Sequence, residues 1–292
     1  MYQVCKPVAP RKTAIEAILL RFFRVCRCIL IQYGRNVEKF GYLSMRIYND
    51  CDMALISEQA DPMGAAIYDY HKYGKADVLR VFSSQFEEDE IPVSDLFRDL
   101  EDMPEPEQVA LKMADGRILD VGAGSGCHSL ALKKMGKESV AIDISPLSVE
   151  VMQDRGLDAR LVNLYDEDFS EQFDTVLMLM NGTGIIGNID NIPTFFARLD
   201  HILAPGGSLL IDSSDLRYLF EEEDGSLMID LADDYYGQLD YQMQYRNIIG
   251  ESFDWLYLDF NTLAYYAEEC GFTAELVHEG DHYDYLARIT RA

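Results

Sequence analysis

From about residue 111 onward the chain alternates short apolar runs with amphipathic stretches. Ile118, Leu119 and Val121 form one run, between the Asp115-Gly116 turn and three spaced glycines, Gly122, Gly124 and Gly126. Leu130, Ala131 and Leu132 follow in a helical stretch, then Val140, Ala141 and Ile142 run up to Asp143. Apolar runs of four to eight residues bounded by glycine or proline predict buried strands, and the amphipathic stretches between them predict helices. The same alternation continues. A helix is predicted from Pro146 to Gly156, a strand over Ala159–Val162, and a long apolar strand from Phe173 to Met180, central enough to be buried on both faces. A helix from about Pro193 to Leu203 carries Phe195, Phe196, Leu199 and Ile202. It turns through Ala204-Pro-Gly-Gly207 into a strand, Ser208–Asp212. A last helix, Asn261–Cys270, is closed by Gly271 and followed by strands over Phe272–Val277 and Tyr283–Ile289.

Strands alternating with helices predict an α/β fold with a doubly wound, mostly parallel sheet. The segment before it reads as helical. Asp61 caps a helix with Pro62 at its first position and Ala65, Ala66, Ile67 and Tyr70 on its apolar face. The acidic run at residues 86–90 reads as a solvated loop, followed by helices over Ser94–Leu100 and Glu105–Met113. Residues 213–258 form an insertion after the fifth strand, with an exposed antiparallel strand predicted from the alternation at Tyr241–Arg246. The expected layout is therefore a basic extension at 1–45, a helical lid at 46–116 and a Rossmann-like core at 117–292.

Charge changes how the first 45 residues are read. They hold eight Lys or Arg against two acids, in a chain whose net charge is −26. The apolar stretch from Ala14 to Tyr33 is interrupted by Arg21, Arg24 and Arg27. An arginine at the centre of a bilayer costs about 2.5–3.5 kcal/mol, which argues against a spanning helix. A basic amphipathic helix, a targeting segment and an extension outside the fold remain, the last favoured by the break in composition. Membrane contact is confined to residues 14–33 if it occurs. The acidic remainder repels phosphate backbones, so nucleic acid is not an expected partner. Six cysteines without a CxxC pair or regular spacing read as free thiols of a reducing, cytoplasmic protein, and the five histidines form no metal-ligand pattern.

The glycine turn carries the chemistry. Asp120-Val-Gly122-Ala123-Gly124-Ser-Gly126 is D-x-G-x-G-x-G, whereas the dinucleotide fingerprint G-x-G-x-x-G would need glycine where Cys127 stands. An acid two residues before the first glycine would repel a pyrophosphate and suits a cationic ligand. Asp143, seventeen residues past Gly126, either accepts from ribose hydroxyls or caps the helix at Ser145-Pro146; its spacing from the glycine turn favours the ribose.

VGAGSG after ILD resembles the first motif of class I S-adenosylmethionine-dependent methyltransferases, and the resemblance runs from about Leu111 to the C-terminus. It implies a seven-stranded sheet with an antiparallel last strand and S-adenosyl-L-methionine as cofactor. Asp120 would meet the cationic methionine end and Asp143 the ribose, with Ile144 on adenine. Asn163-Leu164 stands where the family commonly has an acid reaching the adenine amino group; Asn163 could accept the same bond or serve as a turn residue. Asn181, in the glycine-rich exit from the Phe173–Met180 strand, is a candidate contact near the transferring methyl. A base is needed only if the acceptor is a hydroxyl or a protonated amine. Asp212, Asp215 and His71 are candidates, though a structural hydrogen-bonding duty is the simpler reading of each, and no metal is expected. The expected reaction is methyl transfer to a small molecule. Two alternatives stand beside it, a nicotinamide-dependent oxidoreductase and a non-catalytic cofactor-binding module. The acceptor and the oligomeric state are not written in the sequence.

Overall fold

A computed structural model describes residues 55–220, 234–280 and 282–292. The basic segment 1–45, with the readings placed on it, lies outside them, as do residues 221–233 of the insertion.

Helix α1 (Pro62–Tyr73) begins as its sequence predicts. Asp61 accepts from the Gly64 N–H at 2.7 Å, Pro62 occupies the first turn, and Gly74 ends the helix at φ +67°. Two antiparallel strands follow, β1 (Leu79–Phe82) and β2 (Asp89–Ile91). The sequence placed a loop over the acidic run, and β2 takes part of it. As an edge strand β2 carries acids outward, so it lacks the apolar alternation by which strands are recognised. The helix expected over Ser94–Leu100 is instead two 3-10 turns, Val93–Phe97 and Leu100–Asp102, separated by Arg98 in extended backbone. Helix α2 (Glu105–Met113) forms as expected, with Pro106 in its first turn.

The central unit runs β3 (Ile118–Val121), α3 (Cys127–Lys134), β4 (Ser139–Asp143), α4 (Pro146–Asp154), β5 (Asp158–Leu161) and β6 (Phe173–Met178). It continues through α5 (Ile192–Ile202) and β7 (Leu203–Ser214). Then come β8 (Gln238–Tyr245), β9 (Ile248–Ile249), β10 (Phe253–Leu256), α6 (Phe260–Glu269), β11 (Phe272–Glu279) and β12 (Asp284–Arg291). Seven of these strands form one sheet in the order β11-β12-β7-β6-β3-β4-β5. β3 to β7 pair in parallel, and β12 runs antiparallel to both β7 and β11. This is the expected doubly wound sheet with its last strand reversed.

Alternate residues of each strand feed opposite layers. Leu119, Val121 and Val176 pack with Phe195, Phe196 and Leu199 of α5 and Leu263 of α6. Ile118, Leu177 and Leu210 pack on the other face with Ala110 and Leu111 of α2 and Ala131 and Leu132 of α3. Two boundaries differ from the sequence reading. β7 begins at Leu203, and the Ala204–Gly207 turn is a bulge within it: the register steps from Phe173↔Leu203 to Thr175↔Ser208. β6 stops at Met178, because Met180 and Asn181 turn left-handed at φ +66° and +59°.

The lid and the insertion do not stay separate, as the sequence implied. β10, β8, β1 and β2 form a second, antiparallel sheet, with β9 pairing β8. α1 packs against it through Ala66, Ile67, Leu79 and Tyr245, and Met180 of the central unit reaches the same cluster. Among the described residues no helix is long and apolar enough to cross a membrane.

Candidate active site

The strand order reverses between β3 and β6, so a crevice opens at their carboxyl ends. The glycine turn forms one wall. Gly122, Gly124 and Gly126 all adopt left-handed backbone, at φ +67°, +56° and +79°. A Cβ on Gly122 would lie 2.9 Å from Ile185, in the loop after β6, and one on Gly126 would lie 2.6 Å from Leu157. At Gly124 the nearest atom would be Ile67 of α1, 3.8 Å away, so this position needs glycine for its conformation alone. The Gly122 and Ala123 N–H groups both donate to the Ile142 carbonyl, at 2.9 and 3.2 Å, tying the turn to the end of β4.

Asp143 closes the turn from the other side. Its Oδ2 accepts from the Gly124 N–H at 2.8 Å and its Oδ1 from the Ser145 N–H at 2.9 Å. Burial pushes its carboxyl up to about 6, against these two bonds and with the Asp61 charge adding to the rise. Asp143 thus braces the loop before α4, whose cap is Ser145, and its carboxylate keeps further lone pairs. Ile144 is half-buried beside it, and its carbonyl accepts from the Ile56 N–H at 3.0 Å. Ser145 caps α4 by accepting from the Ser148 N–H at 3.0 Å, and its hydroxyl donates to Asp61 Oδ2 at 2.5 Å, joining the starts of α1 and α4.

The remaining predicted residues are placed as follows. At the end of β5, Asn163 Oδ1 accepts from the Tyr165 N–H at 3.0 Å, and Leu164 is buried. Past β6, Asn181 Oδ1 accepts from the Ser214 hydroxyl at 3.1 Å. Asp212 is half-buried at the end of β7 and accepts from the Met180 and Gly182 N–H groups at 3.0 and 2.9 Å, which shapes the left-handed exit from β6. Burial lifts its carboxyl to about 7; the Gly182 bond opposes this, the Glu107 charge adds to it, and the Met180 bond and His128 oppose it. Asp215 is buried in a different set of contacts, with the Arg217 guanidinium and the Tyr236 hydroxyl, the latter at 2.8 Å. His71, in the last turn of α1, lies 3.7 Å from Asp154 in the last turn of α4.

Asp120 departs most from its expected duty. Its carboxylate is buried and accepts from the Ser129 hydroxyl at 2.7 Å, within the layer that packs on α3. It shares that layer with a buried ion pair that no motif announced. His128 lies 2.8 Å from Glu107 of α2, which also accepts from Arg98 at 2.5 Å. Burial drives the His128 pKa down, but the Glu107 bond and the Asp120 and Glu107 charges outweigh it, so the imidazole is held above its usual range. Burial raises Glu107 in turn, and His128 and Arg98 more than offset that, so it stays ionised. Cys127 beside them is pushed up to about 12 by burial and by the Asp120 and Glu107 charges, and is no nucleophile at neutral pH. Among the described residues no group of three His, Cys, Asp or Glu could hold a metal. Hollows of about 590 Å³ beside Arg98 and about 330 Å³ beside Cys270 lie elsewhere and include none of the glycine turn.

A family described as a methyltransferase domain matches residues 118–207, from β3 into the β7 bulge. The chain is also 62% identical to an S-adenosylmethionine-dependent methyltransferase from Bacteroides fragilis, solved in complex with S-adenosyl-L-homocysteine. That similarity covers 82% of this chain and 98% of the other, with a TM-score of 0.78. The chain belongs to the S-adenosylmethionine-dependent methyltransferase family. More distant relatives match less of it. A demethylmenaquinone methyltransferase from Tropheryma whipplei is 32% identical over 104 residues, 34% of this chain and 41% of that protein. A cypemycin N-terminal methyltransferase from a Streptomyces species is 31% identical over 106 residues, 35% and 43%. The chain thus spans less than half the length of either of these two relatives.

Proposed function

We propose that the protein binds S-adenosyl-L-methionine across the carboxyl ends of β3, β4, β5 and β6 and transfers its methyl group to a small molecule. The observation that carries this is the Gly124–Asp143 hydrogen bond, which sets a half-buried carboxylate beside a glycine-rich turn. The turn leaves room for the cofactor at Gly124, where the nearest atom to an added Cβ is Ile67, 3.8 Å away. Asp143 accepts from the ribose hydroxyls, Ile144 packs on adenine, and Asn163 and Leu164 border its edge. Asn181 and the backbone of Gly122–Gly126 border the methionine end. Asp120 acts through Ser129, holding the joint between β3 and α3.

Bound there, S-adenosylmethionine supplies a methyl group on a cationic sulfur, already a good leaving group. The protein's work is then alignment and exclusion of water. The second sheet and α1 suit that work, because they pack against Met180 at the exit of β6. Calorimetry with S-adenosylhomocysteine, S-adenosylmethionine and NADH tests the reading. The two adenosyl ligands should bind with micromolar or tighter affinity. Binding of NADH alone would remove the proposal.

A further inference from the structure

The face that the second sheet turns toward β6 and β7 is unusually aromatic for a crevice wall. Tyr241 stands opposite Phe253, and Trp255 opposite Leu239, so these side chains share one face with Met243. Phe253 and Trp255 meet edge to face at 5.9 Å. The wall rests directly on the loop after β6: a Cβ on Gly184 would fall 1.9 Å from the Trp255 ring. That same loop supplies the N–H of Gly182 that holds Asp212. Next to it, the Tyr257 hydroxyl lies 3.3 Å from that of Tyr241. Asp212, Tyr241, Phe253, Trp255 and Tyr257 are all half-buried, as residues lining an opening are, rather than sealed as core.

Among the described residues, the charged groups that act on the two phenols of this wall are acidic. The groups acting on the two phenols are Asp212 and Tyr218 on Tyr257, and Asp89 and Tyr218 on Tyr241. The cation bearing on Asp212 is His128, which is itself buried against Glu107. An anionic acceptor would meet carboxylates and π faces without a counter-charge. An ammonium group would meet a carboxylate, phenol oxygens and aromatic rings, each favourable to a cation.

Building on the methyltransferase reading, we propose that the acceptor is an amine, held as its ammonium against Asp212 and Tyr257 beneath the Tyr241–Phe253–Trp255 wall, and that the methyl group goes to nitrogen. Asp212 first takes one proton from the ammonium, freeing the nitrogen lone pair. That pair forms the N–C bond as the S–C bond breaks, and the electrons of the broken bond remain on sulfur as S-adenosylhomocysteine leaves neutral. The product carries the positive charge as a methylated ammonium, and Asp212 returns its proton to solvent. A carboxyl held near neutrality suits that exchange.

Trp255 is the single tryptophan of the chain, so intrinsic fluorescence reports on this wall. The full chain, saturated with S-adenosylhomocysteine, is titrated with phenethylamine, phenethyl alcohol and hydrocinnamate, which share a ring and differ in the charge of the tail. Phenethylamine should perturb Trp255 at a concentration at least about tenfold below the other two. Asp212→Asn should abolish that preference while calorimetric binding of S-adenosylhomocysteine persists. Tyr257→Phe should weaken it severalfold and serves if the Asp212 variant does not fold. With S-adenosylmethionine present, mass spectrometry should find N-methylphenethylamine. Equal or reversed preference, no response to any of the three, or a bound amine left unmethylated overturns the amine assignment. Loss of S-adenosylhomocysteine binding in the unmodified protein would instead sink the methyltransferase reading beneath it.

Discussion

Asp143 serves two demands with opposite effects on its ionisation. Burial favours the protonated form, while accepting from Gly124 and Ser145, and from ribose hydroxyls in the proposed complex, favours the carboxylate. The cofactor therefore binds the ionised state, and below about 6 it must displace a proton. Affinity for S-adenosylhomocysteine should be level above pH 7 and fall by up to about tenfold per pH unit below 6. Asp143→Ala should cost at least about tenfold at pH 7.5 and remove that slope, with the far-ultraviolet circular dichroism unchanged. Calorimetry from pH 5 to 8 checks both, and a slope that survives in the variant would assign it to another group. Asp143 was legible from the sequence because its partner glycines lie at fixed spacing on the same βαβ unit. The direction of Asp120 was not. A strand residue points to one face or the other, and which face holds Ser129 depends on where α3 lands.

Helices α2 and α3 are joined by the Glu107–His128 pair, invisible in the sequence because its halves are 21 residues apart and neither belongs to a motif. Its pH behaviour follows from the two shifts. His128 has a raised pKa, so its stabilisation is complete below the ordinary histidine value and lost as pH rises through the raised one. Glu107 has a lowered pKa, so its contribution is present above the ordinary glutamate value and lost as pH falls through the lowered one. The pair is strongest from mildly acidic to neutral pH. Removing His128 takes one of two partners from the buried Glu107 carboxylate and leaves Arg98 as the other, so His128→Gln should lower stability by about 1–3 kcal/mol at pH 6. The difference from the unmodified protein should narrow at alkaline pH, where the imidazole of the latter is neutral. Urea unfolding at pH 6 and pH 9 gives the comparison, and an equal loss at both would show that His128 acts by packing alone. The same distance effect hid the Asp61–Ser145 bond between the starts of α1 and α4, although Asp61 was legible by itself as a cap.

At the scale of the whole molecule, the main sheet was readable because β3, β4 and β6 are each followed by a helix within a few dozen residues. The second sheet was not, because β1 and β2 precede the central unit and β8 to β10 come from the insertion, about 150 residues later. No local pattern couples them; they meet because Tyr245 and Met243 cover α1 and β1. This construction predicts two levels of stability. The main sheet is buried on both faces by α2, α3, α5 and α6, whereas the small sheet keeps one face polar, with Arg80, Asp240, Gln242 and Gln244 turned away from α1. The small sheet and α1 should therefore open together, below the cost of global unfolding. In native-state hydrogen exchange, the amides of Leu79–Phe82 and Gln238–Tyr245 should share one opening free energy, lower than that of Leu119 and Val176. Tyr245 is the natural probe, being buried with its hydroxyl donating to Asp69 at 3.0 Å. Tyr245→Ala should lower the shared value by about 3–5 kcal/mol, the scale of large aromatic truncations, and lower global unfolding by the same amount, so that the gap between them is kept. S-adenosylhomocysteine should raise it, because the Gly124 turn faces Ile67 of α1 and a filled crevice adds contacts to that helix. If the two strands exchanged at the rate of β3 and β6, the small sheet would be an integral part of one cooperative unit, and its role as a separately opening cover would be excluded.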